Sequence, residues 1–399
     1  MKHKLRIWMV LFLIFSFLIP TSAICYAEEP QITSRAGIVM EASGGTVLYE
    51  KNAHEVLPPA SITKVMTLLL IYEAMEAGNI TPDTIVTTSE HAANMGGSQV
   101  YLETGEEQTV DTMIKCICIS SANDACVAMA EHLAGTEEAF VEHMNKRAKE
   151  LGMNDTNFVN CCGLDADGHV SSAYDIALMS KELMCRFPEI QKYTTTWMDS
   201  MIHTTKNGST EFGLTNTNKL IRQYEGITGL KTGSTSKAMY CLTATATRND
   251  IDMIAVILAA PDTKTRFREA SALLSYGFSR CKIFKDTHED FAPVIVPIEK
   301  SMKKELELVP KEEFCYIATN DEDINGIKEE ILLYESITAP IEEGEELGIL
   351  LYKIGEKELG RIPLVSKEKI EKATYIDYIK ELLRLLTEKQ EKGIVIEDA

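Results

Sequence analysis

The sequence predicts an α+β domain, with one antiparallel sheet covered by helices, then a small β-rich domain and a C-terminal amphipathic helix. Three observations carry that reading. Strand-like runs at both ends of the first two-thirds of the chain flank a helical middle. Near Asp286 the composition changes to short alternating runs separated by turn residues and acidic clusters. An apolar stripe at helical spacing then stands close to the C-terminus. At 399 residues the chain is too long for one ordinary core and long enough for two domains.

Lys2, Lys4 and Arg6 precede an apolar run, Ile7 to Ile19, and a small-residue region ends at Ala27. This pattern predicts a secretory signal peptide cleaved after Ala27. The run is short for a membrane span, and an uncleaved anchor is the alternative. Cys25 follows Ile24 where a small residue is wanted, so lipidation is not expected. The next run, Gly37 to Ala42, the Ser43-Gly44-Gly45 turn and Thr46 to Glu50 read as a hairpin. Pro58-Pro59 ends an extended approach, and Ser61 opens a helical stretch from Ile62 to Ala77, closed by Gly78-Asn79.

Residues 109–134 read as helices around Ser121-Ala-Asn123, and 136–151 as an amphipathic helix. A polar loop from Asn154 to Ser172 leads into a helix from Ala173 to Phe187. Strands are expected over 229–235, 239–248 and 251–260, with the Asn249-Asp250 turn between the last two. A helix from Thr263 to Phe278 closes the domain. Residues 291–364 supply the β-rich segment, which contains no catalytic constellation. A helix is expected over roughly 366–392, with Tyr375, Ile376, Ile379, Leu382, Leu383 and Leu386 on one stripe. The expected boundaries are 1–27, 28–285, 286–365 and 366–399.

The formal net charge is −20, and loss of residues 1–27 would remove three cations and no anion, giving −23. So acidic a chain is not expected to bind nucleic acid. The terminal helix is nearly balanced in charge, and its stripe suits a membrane surface or a neighbouring protein. Ten cysteines in an exported chain raise the prospect of disulfides. Cleavage leaves nine, an odd number, and the favoured reading is buried thiols acting as small hydrophobes. The histidines are scattered, so neither metal nor cofactor is expected.

Three short motifs carry the chemistry: Ser61-Ile-Thr-Lys64, Ser121-Ala-Asn123 and Lys231-Thr-Gly233. Ser-x-x-Lys alone is noise, since it recurs at Ser234/Lys237, Ser279/Lys282, Ser301/Lys304 and Ser366/Lys369. Only the first copy opens a helix that is apolar nearly all round, which marks a buried helix. Ser61 and Lys64 share a face in its first turn. A lysine amine there loses solvation, its charged form is disfavoured, and it can serve as base to the neighbouring hydroxyl. An N-capping serine followed by a surface lysine is the competing explanation, and the ordered triplet argues against it.

From about Ala36 to Phe278 the chain resembles serine-type D-alanyl-D-alanine carboxypeptidases, the low-molecular-mass penicillin-binding proteins. The match runs through Pro59 to Lys64, Gly97 to Leu102, Ser121 to Ala125, Asp167-Gly-His169 with Tyr174 to Leu178, and Gly229 to Gly233. The β-rich segment and terminal helix resemble the same family's C-terminal parts. The resemblance implies a penicillin-binding/β-lactamase-like transpeptidase fold that removes the last D-alanine from peptidoglycan pentapeptide stems and is acylated by β-lactams. It implies an exported enzyme at the outer face of the cytoplasmic membrane or in the cell-wall space of a bacterium, where the apolar stripe of the terminal helix is expected to hold it.

Carried over residue by residue, Ser61 resembles the nucleophile and Lys64 its base. Ser121 and Asn123 resemble residues that relay a proton to the leaving amine and hold the substrate amide. Lys231 and Thr232 resemble binders of the terminal carboxylate, and Arg266 an arginine that assists there. The resemblance assigns Gly233 to the same binding strand, and the N–H groups of Ser61 and Ser234 to an oxyanion hole. Two positions depart from the family pattern: cysteines at 161 and 162, and Thr228 where an acidic residue is common. A serine β-lactamase is the alternative, but no Glu-x-x-Leu-Asn loop follows Ser121, and Ala122 replaces the usual aspartate. A non-catalytic wall-binding relative would be expected to lack Ser61 or Lys64.

Overall fold

The structure, a computed structural model, describes residues 29–391 apart from positions 207 and 321, so the expected signal peptide lies outside the described residues. The chain separates into two compact units between Ser279 and Arg280.

The first unit opens with the hairpin β1 (Ala36–Glu41) and β2 (Val47–Lys51), followed by a 3-10 turn, Ala60–Thr63, and helix α1 (Lys64–Glu76). Next come β3 (Ile85–Thr87), α2 (Glu90–Ala93), β4 (Glu107–Thr109), α3 (Val110–Ile119), α4 (Asn123–Ala134) and α5 (Glu137–Glu150). After a long polar loop follow α6 (Ala173–Arg186), α7 (Gln191–Thr194) and the hairpin β5 (Met198–Thr205) with β6 (Gly208–Thr215). Strands β7 (Ile227–Thr235), β8 (Met239–Arg248) and β9 (Ile251–Ala260) lead to α8 (Thr263–Ser279).

Five strands form one antiparallel sheet in the order β2-β1-β9-β8-β7. Pairing of β1 with β9 joins the two ends of the unit, as strands flanking a helical middle require. Successive side chains of a strand point to opposite faces. Ile38, Met40, Ile254 and Val256 accordingly enter the core shared with α1, α3, α4 and α6. The alternate residues Val39 and Met253 meet α8 at Gly277. With both faces covered, β1 is buried at all six positions.

Helix α1 is buried from Lys64 through Leu69 and again at Ile71 and Tyr72, as its all-round apolar pattern implies. Its start differs from expectation. Ser61 lies in the 3-10 turn, not in the first α-helical turn, because Ala60 adopts a left-handed φ of 50° that breaks the helical path. The β5–β6 hairpin was not expected either. Its strands are largely polar and exposed, so they lack the alternation by which half-buried strands are read.

The second unit contains β10 (Cys281–Asp286), β11 (Val294–Pro297), β12 (Glu305–Pro310), β13 (Phe314–Thr319), β14 (Ile327–Leu333), β15 (Glu346–Ile354) and β16 (Lys357–Ser366). Strand β10 pairs with β13, and the others form a sheet in the order β11-β12-β16-β15-β14. Val296, Leu306, Leu308, Leu350 and Leu364 fill the core, and the Phe314 and Tyr352 rings stack with centroids 3.8 Å apart. Helix α9 (Tyr375–Glu391) begins later than the expected position 366. Residues up to Ser366 belong to β16, and Ile370 still bridges to Ile341, so sheet pairing outcompetes helix there.

Candidate active site

Three elements bring the motifs together. The turn before α1 carries Ser61, and the start of α1 carries Lys64. The α3–α4 connection carries Ser121 and the first residue of α4, Asn123. Edge strand β7 carries Lys231, Thr232, Gly233 and Ser234.

Lys64 is wholly buried, and its Nζ lies 3.1 Å from Ser61 Oγ, 2.6 Å from Asn123 Oδ1 and 2.6 Å from the Cys162 carbonyl. Asn123 in turn donates from Nδ2 to the Gly96 carbonyl at 2.6 Å and from its backbone to Ser98 at 2.7 Å. The neighbouring Asp124 carboxylate accepts from the N–H groups of Val100 and Leu102, fixing the segment that faces α4. A second lysine completes the group: Lys231 Nζ donates to Ser121 Oγ at 2.9 Å and to the Thr232 carbonyl at 3.0 Å. Burial, helped by the charge of Lys64, pushes Lys231 down to about 7.

Two non-glycine residues here hold left-handed backbone, Ala60 at φ 50° and Ser121 at φ 60°. Each such conformation costs about 1–3 kcal/mol, and such strain gathers at functional sites. One precedes the Ser61 hydroxyl and the other carries the Ser121 hydroxyl.

Glycine at 233 is set by close approach. A Cβ there would lie 2.8 Å from the Pro59 carbonyl and 3.1 Å from Ser61 N. Strand β7 therefore lies directly against the serine turn. The Thr232 hydroxyl is 2.6 Å from that of Thr217, and Ser234 is exposed beside them. Arg266 sits on α8 and is buried; its Nη1 donates to the carbonyls of Gly233 at 3.1 Å and Cys241 at 3.2 Å. Burial lowers its guanidinium to about 10. It thereby ties β7 and β8 to α8 next to Gly233.

The remaining Ser-x-x-Lys copies are placed differently. Lys237 pairs with Asp167 and Lys369 with Glu342 at the surface, while the Ser279 hydroxyl donates to the Tyr276 carbonyl. Seven of the nine described cysteines are buried. Burial pushes Cys118 up to about 12 and Cys241 up to about 11, which keeps them as neutral thiols.

Sequence reasoning missed Thr63 and His169. The Thr63 hydroxyl lies 2.8 Å from His169 Nε2 and donates to the Ala60 carbonyl at 2.8 Å. Both residues stand inside stretches already singled out, Ser61 to Lys64 and Asp167-Gly-His169. Only proximity in space, across 106 positions of sequence, links them.

Known proteins resemble this chain over most of its length. A family model described as D-alanyl-D-alanine carboxypeptidase matches residues 24–262, and one described as penicillin-binding protein 5, C-terminal domain, matches 284–372. The D-alanyl-D-alanine carboxypeptidase DacF of Bacillus subtilis (strain 168) is 44% identical over 347 residues, covering 87% of this chain and 88% of the relative. DacC of Escherichia coli (strain K12) is 32% identical, covering 87% of each. Among solved structures, penicillin binding protein 6B from Escherichia coli is 30% identical with a TM-score of 0.65, covering 86% of this chain and 98% of its own. A peptidoglycan synthesis regulatory factor (PBP3) from Streptococcus pneumoniae reaches a TM-score of 0.70 at 27% identity, covering 86% of this chain and all of its own. With that coverage and the three motifs assembled in one site, the chain belongs to the peptidase S11 family, the serine-type D-alanyl-D-alanine carboxypeptidases.

Proposed function

We propose that the enzyme removes the terminal D-alanine of peptidoglycan pentapeptide stems through an acyl-enzyme on Ser61. The observation that carries this is the set of contacts around Lys64 Nζ. Asn123 Oδ1 and the Cys162 carbonyl can only accept, so they hold two of the N–H bonds of Lys64 and keep its nitrogen aimed at the third neighbour, Ser61 Oγ. The orientation of the Asn123 amide follows from its other bond, Nδ2 to Gly96. When Lys64 acts as base, the lone pair of its amine form faces Ser61 Oγ, 3.1 Å away. Lys64 takes the hydroxyl proton as the oxygen attacks the carbonyl between the last two D-alanines.

The negative charge that develops on that carbonyl oxygen is received by the N–H groups of Ser61 and Ser234, a term usually large in acyl transfer. Because β7 is an edge strand, an extended peptide can lie along it by main-chain hydrogen bonds. The terminal carboxylate meets Lys231 and Thr232. An arriving anion favours the charged lysine and draws Lys231 back above about 7. Ser121, within hydrogen-bonding distance of Lys231, relays to the departing amine the proton that Lys64 took from Ser61, so Lys64 and Ser121 return to their starting states, while Asn123 holds the substrate amide. Water then cleaves the ester and frees Ser61. Strained β-lactam amides enter by the same route and stop at the ester.

On the same reading, residues 1–27 export the chain and α9 holds it at the outer face of the membrane. No helix among the described residues is long and apolar enough to cross a membrane. Helix α9 instead exposes eight apolar residues, among them Tyr375, Ile376, Leu382 and Leu386, which suits a surface-lying helix.

Mass spectrometry after penicillin treatment tests the reading. The adduct is expected on the peptide containing Ser61 and absent in Ser61→Ala. An adduct on Ser121 or Ser234 would overturn it. Incubation with a pentapeptide should release one D-alanine, and rapid turnover of the antibiotic would favour a β-lactamase instead.

A further inference from the structure

We infer that His169 and Thr63 form a positioning relay that sets the Ser61 N–H for the oxyanion. The inference rests on Ser61 being the nucleophile. It adds two residues that act on the Ala60–Ser61 peptide group and not on the substrate itself.

The direction of each hydrogen bond can be worked out. Val159 N–H donates to His169 Nδ1 at 2.9 Å, so Nδ1 carries a lone pair. In a neutral ring the proton is then on Nε2. Nε2–H points at Thr63 Oγ1 at 2.8 Å, which leaves the threonine hydrogen free to donate to the Ala60 carbonyl, also at 2.8 Å. The bonds thus run one way, from the Val159 amide to the Ala60 oxygen.

The Ala60 carbonyl and the Ser61 N–H are two ends of one planar peptide group. Holding the oxygen fixes the direction of the N–H. That control matters because Ala60 is alanine in a left-handed conformation, which an unrestrained backbone would leave. Gly163 packs on the same carbonyl so closely that a Cβ would fall 1.9 Å from it. A hydroxyl and a bare glycine therefore both bear on this oxygen.

The ring must stay neutral for the relay to keep its direction, since a second proton on Nδ1 would break the Val159 bond. The ring is buried, and the Phe158 ring packs against it. Burial pushes its pKa down to about 4; Asp165 pulls the other way, and Lys64 adds to the lowering.

Four variants test the relay: Thr63→Val, Thr63→Ser, His169→Phe and the Thr63→Val/His169→Phe pair. Each is followed by melting temperature, penicillin acylation rate and the kcat–KM split on an N-acylated peptide ending in D-Ala-D-Ala. Thr63→Val should lower acylation and kcat by about 10- to 100-fold with KM little changed, since misplacement near 1 Å costs that much. Thr63→Ser keeps the hydroxyl and should recover most of the rate. The pair should be no slower than its worse member, because both act through one oxygen. Should His169→Phe not fold, Thr63→Val carries the test alone, as its shape is nearly unchanged.

Wild-type rates in folded Thr63→Val, a loss confined to KM, or Thr63→Ser as slow as Thr63→Val would each overturn the relay. If the wild-type enzyme gave its adduct elsewhere than Ser61, the proposed mechanism would fall first, and the same spectra would show it.

Discussion

Replacing Gly233 by alanine probes the approach of β7 to the serine turn. The new methyl would sit 2.8 Å from the Pro59 carbonyl, 3.0 Å from Ala60 Cβ and 3.1 Å from Ser61 N. Comfortable contact begins near 3.5 Å, so the strand and the turn must part by roughly half an ångström or more. Overpacking of this kind costs about 1–3 kcal/mol. Alanine recovers about 0.4–1 kcal/mol of that by restricting the unfolded chain. The net loss is therefore about 0–2.5 kcal/mol, at most about 10 °C in melting temperature for a domain of this size. Activity is far more exposed. The displaced groups are the two N–H donors of the proposed oxyanion hole, where removal of one donor costs about 100- to 1,000-fold. Fluorescent-penicillin labelling and thermal melting of Gly233→Ala should thus show acylation lost about 100-fold with only modest destabilisation. Gly213→Ala is the control, since nothing lies within 4 Å of its added Cβ. If Gly233→Ala acylates at the wild-type rate, the argument from close approach is refuted.

Further expectations follow from the same contacts. Lys64→Arg keeps a charge that cannot readily be lost and should abolish acylation, whereas Lys231→Arg keeps a cation for the carboxylate and should retain measurable activity; equal loss in stopped-flow acylation would undo the division of roles. His169 is lowered from 6.5 to about 4 in the fold, so between those values the unfolded chain binds the extra proton. Stability should accordingly fall as pH drops through that window and level off below it, by about 3 kcal/mol in all. Urea midpoints at neutral and acid pH should show a smaller loss in His169→Gln, and equal losses would contradict the assignment. A chain ending at Ala373 keeps β16 and the Ile341–Ile370 bridge and removes α9. It should process a soluble pentapeptide within about twofold of the full rate yet no longer sediment with liposomes, and sedimentation unchanged would show that the exposed stripe is not the anchor.

Much of this enzyme was legible in one dimension. The strands at 239–248 and 251–260 read directly because alternating or continuous apolar runs between turn residues leave few other ways to bury them. The helix after Ser61 was legible for the same reason, its apolar character all round demanding burial. The motifs named the chemistry because serine, lysine and asparagine at those spacings serve few purposes together. Other features depended on contacts between distant segments. The β5–β6 hairpin buries only Met201 and Leu214 among largely polar, exposed residues, so no periodicity announces it. The terminal helix began at Tyr375, because residues to Ser366 found strand partners that local propensity cannot foresee. The left-handed turn at Ala60, the carbonyl of Cys162 on Lys64, and the His169–Thr63 pair arise where the 154–172 loop folds back on α1. Residue identity supplies the functional groups, but directing a lone pair or an N–H requires partners from several parts of the chain at once, and only the folded backbone brings them within three ångströms.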